Sequence, residues 1–197
     1  MKKDIDAGKD DAYLWEHHFG AMVRYARSFQ AYRRTVLKKR KRAGIEILTY
    51  IGPTGVGKST LVETKFPLSN SYWLSRNRSG PTWWCGYDSE ETIVIDEFEG
   101  WIAQSDMQRI CDNKPLSLQV KCSAAWALYN RVVIISNYHP GEWWRDGLRP
   151  PMTSRLFGLD GRNGHVYKIA ERGAEPVEVG VDDPWLSKRI FSERNQH

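Results

Sequence analysis

The chain has 197 residues, 41% of them hydrophobic, which suits one α/β domain with a small appendage and a sizeable buried core. A net charge of +5 and a pI near 9.1 favour an anionic partner, nucleic acid first, and nine Trp with nine Tyr offer rings that stack on unpaired bases when they are not packed in the core. Cys85, Cys111 and Cys122 are scattered without a C-x-x-C pair, which argues against a disulfide scaffold or zinc site, and no apolar run approaches the ~20 residues that cross a membrane.

Residues 2–11 are polar and are expected to fray, and Met1-Lys2-Lys3-Asp4 does not open a secretory leader. A short helix is predicted over residues 12–18. A longer one is predicted over residues 21–37, where Met22, Tyr25, Ala26, Phe29 and Val36 recur at helical spacing opposite Arg24, Arg27, Arg33 and Arg34. The pair is read as a helical hairpin that either props the core or joins subunits. His17-His18 has no ligand partner at metal spacing and is read as solvated or capping. Lys38-Lys39-Arg40-Lys41-Arg42 is a basic block, read first as a solvated linker, then as a nucleic-acid contact or a nuclear-import signal. Residues 1–43 thus form a helical segment with a basic linker, residues 44–170 the core, and residues 171–197 a tail.

The core opens with a β-rich run over residues 45–51 that enters Gly52-Pro53-Thr54-Gly55-Val56-Gly57-Lys58-Ser59-Thr60. The spacing fits the phosphate-binding loop pattern. Gly55 and Gly57 let successive N–H groups turn inward onto phosphate oxygens, and the helix predicted from Lys58 points its positive end at the same place. Lys58 suits the β- and γ-phosphates of ATP, and Ser59 suits Mg²⁺. A loop-rich stretch, residues 67–88, carries Tyr72-Trp73, Arg76, Arg78 and Trp83-Trp84.

Thr92-Ile93-Val94-Ile95-Asp96-Glu97-Phe98 is a buried parallel strand with two acids at its carboxyl end, where open α/β sheets bind ligands. Two charges there are costly unless they face a cation, so Asp96 is assigned to Mg²⁺ and Glu97 to the attacking water. Ser105-Asp106-Met107-Gln108 has the form of a capping box, with Met107, Ile110 and Cys111 as the inner stripe of the helix it opens. Residues 116–123 alternate as one arm of a hairpin with its tip near residues 121–125; Lys121 there is a solvated charge or a DNA-phosphate contact. Val132-Val133-Ile134-Ile135-Ser136 is a third buried strand, ending in Asn137, whose amide can report on the γ-phosphate or cap a turn. Beyond it come Trp143-Trp144, Arg145, Arg149 and Arg155, a weak strand over residues 165–169, and a polar tail.

Taken together, residues 22–157 resemble the superfamily 3 helicase domain of the replication initiators (Rep) of circular single-stranded DNA viruses, circoviruses and relatives among them. Gly52 to Thr60 resembles Walker A, Ile93 to Phe98 a Walker B ending in two acids, and Ile134-Ile135-Ser136-Asn137 motif C, while Lys121 falls in the stretch that resembles motif B′. Tyr72-Trp73 and Trp83-Trp84-Cys85-Gly86-Tyr87 resemble the aromatic segment before Walker B, with Cys85 where an acid is usual.

The resemblance implies an α/β fold with an AAA+-like P-loop core, a central parallel sheet flanked by helices. It also implies that residues 1–43 are a helical oligomerisation segment with a basic linker and residues 44–170 the ATPase core of a ring, usually a hexamer, that uses ATP and Mg²⁺ to move 3′-to-5′ on single-stranded DNA gripped by Lys121. An arginine from a neighbouring subunit can add ~10³–10⁵ in rate in such sites; Arg155 is the first candidate, with Arg149 and Arg145 in reserve. A viral origin in a eukaryotic host implies the nucleus, and otherwise the cytoplasm. Complete initiators also carry a nicking domain, for which the 51 residues before Gly52 are too few, so this chain is expected not to nick DNA. Two rivals remain open: a P-loop ATPase or switch acting on protein partners, and a DNA-binding module with a vestigial nucleotide site.

Overall fold

The computed structural model describes residues 1–37, 42, 44–74, 76–77, 82–121 and 123–183. Its centre is β1 (Glu46–Ile51), a strand buried on both faces, as expected for a parallel strand covered on both sides. Around it stand β2 (Ser71–Leu74), β3 (Thr92–Ile95), β6 (Arg131–Ser136), β7 (Asn163–Lys168) and β8 (Val177–Glu178), in the order β2-β3-β6-β1-β7-β8. The first five run parallel and β8 closes the edge antiparallel to β7.

Alternate side chains of these strands fill two cores. Ile47, Ile51, Ile93, Ile95, Val132 and Ile134 lie on one face with Met107, Trp143 and Met152. Leu48, Tyr50, Val94, Val133 and Ile135 lie on the other with Val62 and Phe66 of α4 (Lys58–Lys65) and the residue after it. Ile51 is level with Ser136, and Ile95 with Ile134, so Gly52, Asp96 and Asn137 leave the sheet along one edge. β1 has β6 on one flank and β7 on the other, which makes that edge a topological switch point.

Ahead of the core stand α1 (Lys2–Asp6), α2 (Asp11–His17) and α3 (Phe19–Leu37). α3 begins two residues before its predicted start and bends at Tyr25 (φ −132°, ψ 17°). The first helix corrects an expectation: Ile5 is fully buried with Leu14 and Met22, so residues 2–6 are anchored rather than frayed. Arg33, placed by the periodicity opposite the apolar positions, is itself buried and ties α3 to α2 through Asp11 (2.8 Å) and to the core through Asp88 (2.7 Å) and the Ser89 hydroxyl (2.9 Å).

Within the basic block, Arg42 is described, and it is neither linker charge nor DNA contact. Its buried guanidinium donates to the carbonyls of Arg109, Ile110 and Lys114, capping α5 (Gln104–Ile110), and lies over the Tyr129 ring. Residues 38–41 lie outside the described residues. α5 shows no capping box: it starts at Gln104 behind Ala103, without a side-chain cap, so Ser105 is already helical. Its inner stripe Met107, Ile110 and Cys111 is buried as predicted.

β4 (Ser117–Val120) and β5 (Ser123–Trp126) form the expected hairpin with a tighter tip, since Val120 faces Ser123. The short α6 (Pro150–Leu156) then leads into β7. The weak strand predicted near residue 165 is a full member of the sheet, and residues 177–178, within the stretch read as tail, supply β8. The aromatic segment is largely core: Trp84, Tyr87 and Tyr129 are buried together with Tyr72 against them, so these rings are not free to stack on bases.

Candidate nucleotide site

β1 delivers the chain into its glycine loop against the end of β7. The Ile169 N–H donates to the Ile51 carbonyl (2.8 Å), and a Cβ on Gly52 would lie 2.2 Å from the Ile169 carbonyl oxygen, so only glycine lets the two backbones meet. Gly55 (φ 83°) and Gly57 (φ 95°) are left-handed, and a Cβ on either would project into open space. Gly57 is the N-cap of α4, so the turn opens at the helix's positive end.

The side chains behind the loop are already arranged. The Lys58 ammonium donates to the Gly52 and Pro53 carbonyls and to Asn137 Oδ1, each at 2.8 Å. Burial pushes its pKa below the usual 10.5, and the nearby Asp96 carboxylate partly offsets that. The Ser59 hydroxyl donates to Asp96, 3.2 Å from Oδ2. Glu97 is exposed and left-handed (φ 48°), a conformation that costs a non-glycine residue about 1 kcal/mol or more and gathers at functional sites. The bend turns Glu97 out of line with β3, and its N–H donates to Asp96 Oδ1 (2.8 Å).

The bend is braced from behind. Phe98 N–H donates to the Ile135 carbonyl (2.8 Å), and the fully buried Ser136 hydroxyl donates to the Phe98 carbonyl (2.6 Å). The same oxygen accepts from Trp143 Nε1 (2.9 Å) and from the Tyr138 N–H (3.0 Å). One hydroxyl therefore joins the backbone beyond Glu97 to the backbone either side of Asn137.

The cavity in front is about 350 Å³ and is lined by Thr54, Gly55, Gly57, Lys58, Ser59, Thr60, Asp96, Glu97, Ile135, Ser136, Asn137 and Arg172. Of the loop residues expected here, Gly52 and Pro53 instead hold Lys58 from behind, and Val56 packs on the core. The donors fit a hydrated Mg²⁺ bound with phosphate: one hydroxyl and one carboxylate, both hard oxygens, 3.2 Å apart. Among the described residues no group of three or more His, Cys, Asp or Glu is placed to hold a metal by itself, so such an ion relies on phosphate and water. The left-handed glycines and the helix terminus fit the phosphates.

Residues 48–138 match the family model described as RNA helicase. The chain is 39% identical over 105 residues to the replication-associated protein of porcine circovirus 1, covering 53% of this chain and 32% of that protein. It is 34% identical over 138 residues to that of porcine circovirus 2 (68% and 43%), and 37% identical over 124 residues to that of human associated cyclovirus 1 (59% and 43%). The matched region is a helicase-family domain of the circovirus Rep type. The chain spans less than half the length of these curated relatives.

Within this Rep-type domain, Lys58, Ser59, Thr60, Asp96, Glu97 and Asn137 share one cavity, whereas Lys121 and Arg155 do not line it. Lys121 is exposed at the turn between β4 and β5. Arg155 departs from its expected role as a free finger. It is buried, donating to the Pro151 carbonyl (2.6 Å) and to Asp112 Oδ2 (2.8 Å). Arg145 and Arg149 are exposed, the latter 3.7 Å from Asp146.

Burial alone would raise the Asp112 carboxyl, but the hydrogen bond and charge of Arg155 hold it below 3.8. A depressed carboxylate stabilises the fold above its unfolded pKa and loses that contribution as pH falls through the folded one. Arg155→Ala is therefore expected to destabilise by about 2–4 kcal/mol, measured by urea unfolding at neutral pH, and the deficit should shrink below pH ~3.8 as Asp112 protonates. An Arg155→Ala protein of normal stability that lacks only ATPase would restore the finger.

Two features escaped sequence reading. Ser136 passed as an ordinary strand residue, and its three partners are 2 to 38 positions away. Arg172 sits in an irregular stretch that carries no motif.

Proposed function

We propose that this domain is an ATP-driven motor on single-stranded DNA, working as a ring of identical subunits and moving 3′-to-5′ in the replication of a circular viral genome. One observation carries the proposal: Lys58, the Ser59–Asp96 pair, Glu97 and Asn137 surround one cavity at the switch point of the sheet. The glycine loop and Lys58 hold the phosphates of ATP, Ser59 and Asp96 hold Mg²⁺, Glu97 takes a proton from water, and Asn137 orients the γ-phosphate end. Mg²⁺ supplies charge neutralisation between the phosphates. The trans arginine falls to Arg145 or Arg149, which are exposed where Arg155 is not. Relatives from animal viruses suggest the host nucleus as its place of action.

The test is steady-state ATP turnover with and without a single-stranded oligonucleotide, repeated for Lys121→Ala. Stimulation by DNA is expected, and Lys121→Ala should lose most of it while keeping the basal rate, with a shallower salt dependence of DNA binding by about one phosphate contact. Turnover indifferent to DNA favours a switch acting on protein partners. DNA binding without turnover favours a vestigial nucleotide site.

A further inference from the structure

Arg172 is a second cation on the wall of the nucleotide cavity, and the geometry points to it as a phosphate-binding residue acting in cis. The bond between Ile169 and Ile51 fixes the end of β7 beside the start of the glycine loop. Two residues on, a turn begins at Glu171 and is closed by the Ala174 N–H donating to the Glu171 carbonyl (3.2 Å), with Gly173 left-handed at φ 83°. That is the conformation a type II turn requires at its third position, and it sets Arg172 at the second, exposed.

β7 flanks β1 on the side away from β6 and β3, so Arg172 reaches the cavity from the flank opposite Glu97 and Asn137. The charges on the wall are Lys58, Asp96, Glu97 and Arg172. Lys58 is already shared among three oxygens, whereas Arg172 makes no hydrogen bond or ion pair among the described residues. A guanidinium left free beside a phosphate cradle matches a polyphosphate oxygen in charge and in planar donor geometry. A structural guanidinium in this protein looks different: Arg42 and Arg155 are buried and donate to backbone carbonyls, Arg155 also to the Asp112 carboxylate. Arg172 thus closes the site from the β7 side, and it does so within one subunit, unlike a trans finger.

This assignment rests on the ATP site proposed above. It is tested by titrating a fluorescent ATP analogue, with ADP and AMP as competitors, into the wild-type chain, Arg172→Ala, Arg172→Lys and Lys58→Ala. Arg172→Ala is expected to weaken triphosphate binding by about tenfold to a hundredfold, with smaller losses as phosphates are removed and part of the loss recovered in Arg172→Lys. Its thermal unfolding should match wild type, since no contact is lost. ATP affinity unchanged in Arg172→Ala, with Lys58→Ala still defective, overturns the assignment and leaves the site intact. An equal loss for all three nucleotides also overturns it, because that places Arg172 on base or sugar. A wild-type chain that binds none of them overturns the site itself.

Discussion

Replacing Lys58 with Ala should lower ATP affinity by about a hundredfold or more and take turnover below detection, with the fold retained. Hydrogen bonds from a charged donor contribute about 1.5–3 kcal/mol each, and an ammonium between phosphates forms more than one. The side chain has a further role that the substitution exposes. Its three bonds join Gly52 and Pro53, at the end of β1, to Asn137, at the end of β6. Alanine leaves the Asn137 amide without that anchor, so under the proposed reading the γ-phosphate end should lose its orientation together with its charge. Lys58→Arg should fail nearly as far: the charge survives, but a planar fork cannot donate at 2.8 Å in three directions from the space of a single ammonium. Fluorescent-nucleotide titration beside a thermal melt separates lost binding from lost fold. Near-normal affinity in a folded Lys58→Ala protein would remove the phosphate role from this loop.

How much of this was legible in the sequence depends on how far apart the partners lie. β1, the glycine loop and α4 form one continuous stretch in which each residue constrains the next, and the structure has them where the spacing predicts. β3 and β6 are apolar runs with polar ends, and parallel pairing carries those ends to one edge, so Asp96, Glu97 and Asn137 arrive together. Legibility ends where the partner is distant and the residue type common. Nothing near Arg155 announces Asp112, and nothing in a basic block separates the buried Arg42 from its neighbours in sequence. Ile5 is a single apolar residue in a polar stretch, too little for a periodic signal, yet enough to pin a helix once Leu14 and Met22 meet it. β7 opens with Asn163-Gly164, which weakens its strand pattern. A Cβ on Gly164 would lie 1.9 Å from the Arg155 carbonyl oxygen, so the glycine exists to let α6 cross the strand.

Glu97→Gln isolates chemistry from binding and should be the sharper of the two tests. Glutamine keeps the volume, and the left-handed backbone at φ 48° is braced by groups outside the side chain: the Glu97 N–H on Asp96, Phe98 on Ile135, and Ser136 on the Phe98 carbonyl. ATP and Mg²⁺ binding should therefore persist, and removing a negative charge from the wall should tighten binding slightly. Turnover should fall by about 10²–10⁴, the range that general-base catalysis supplies. Asp96→Asn is the informative partner. Its oxygen neighbours the Ser59 hydroxyl at 3.2 Å, so its loss should weaken the proposed Mg²⁺ site, and raising Mg²⁺ should recover part of the activity. Excess Mg²⁺ cannot replace a missing base, so Glu97→Gln should stay inactive at every Mg²⁺ concentration while still binding nucleotide. Recovery of both variants with Mg²⁺ would make Glu97 a second metal-site carboxylate, and turnover of Glu97→Gln within tenfold of wild type would take the proton from some other group.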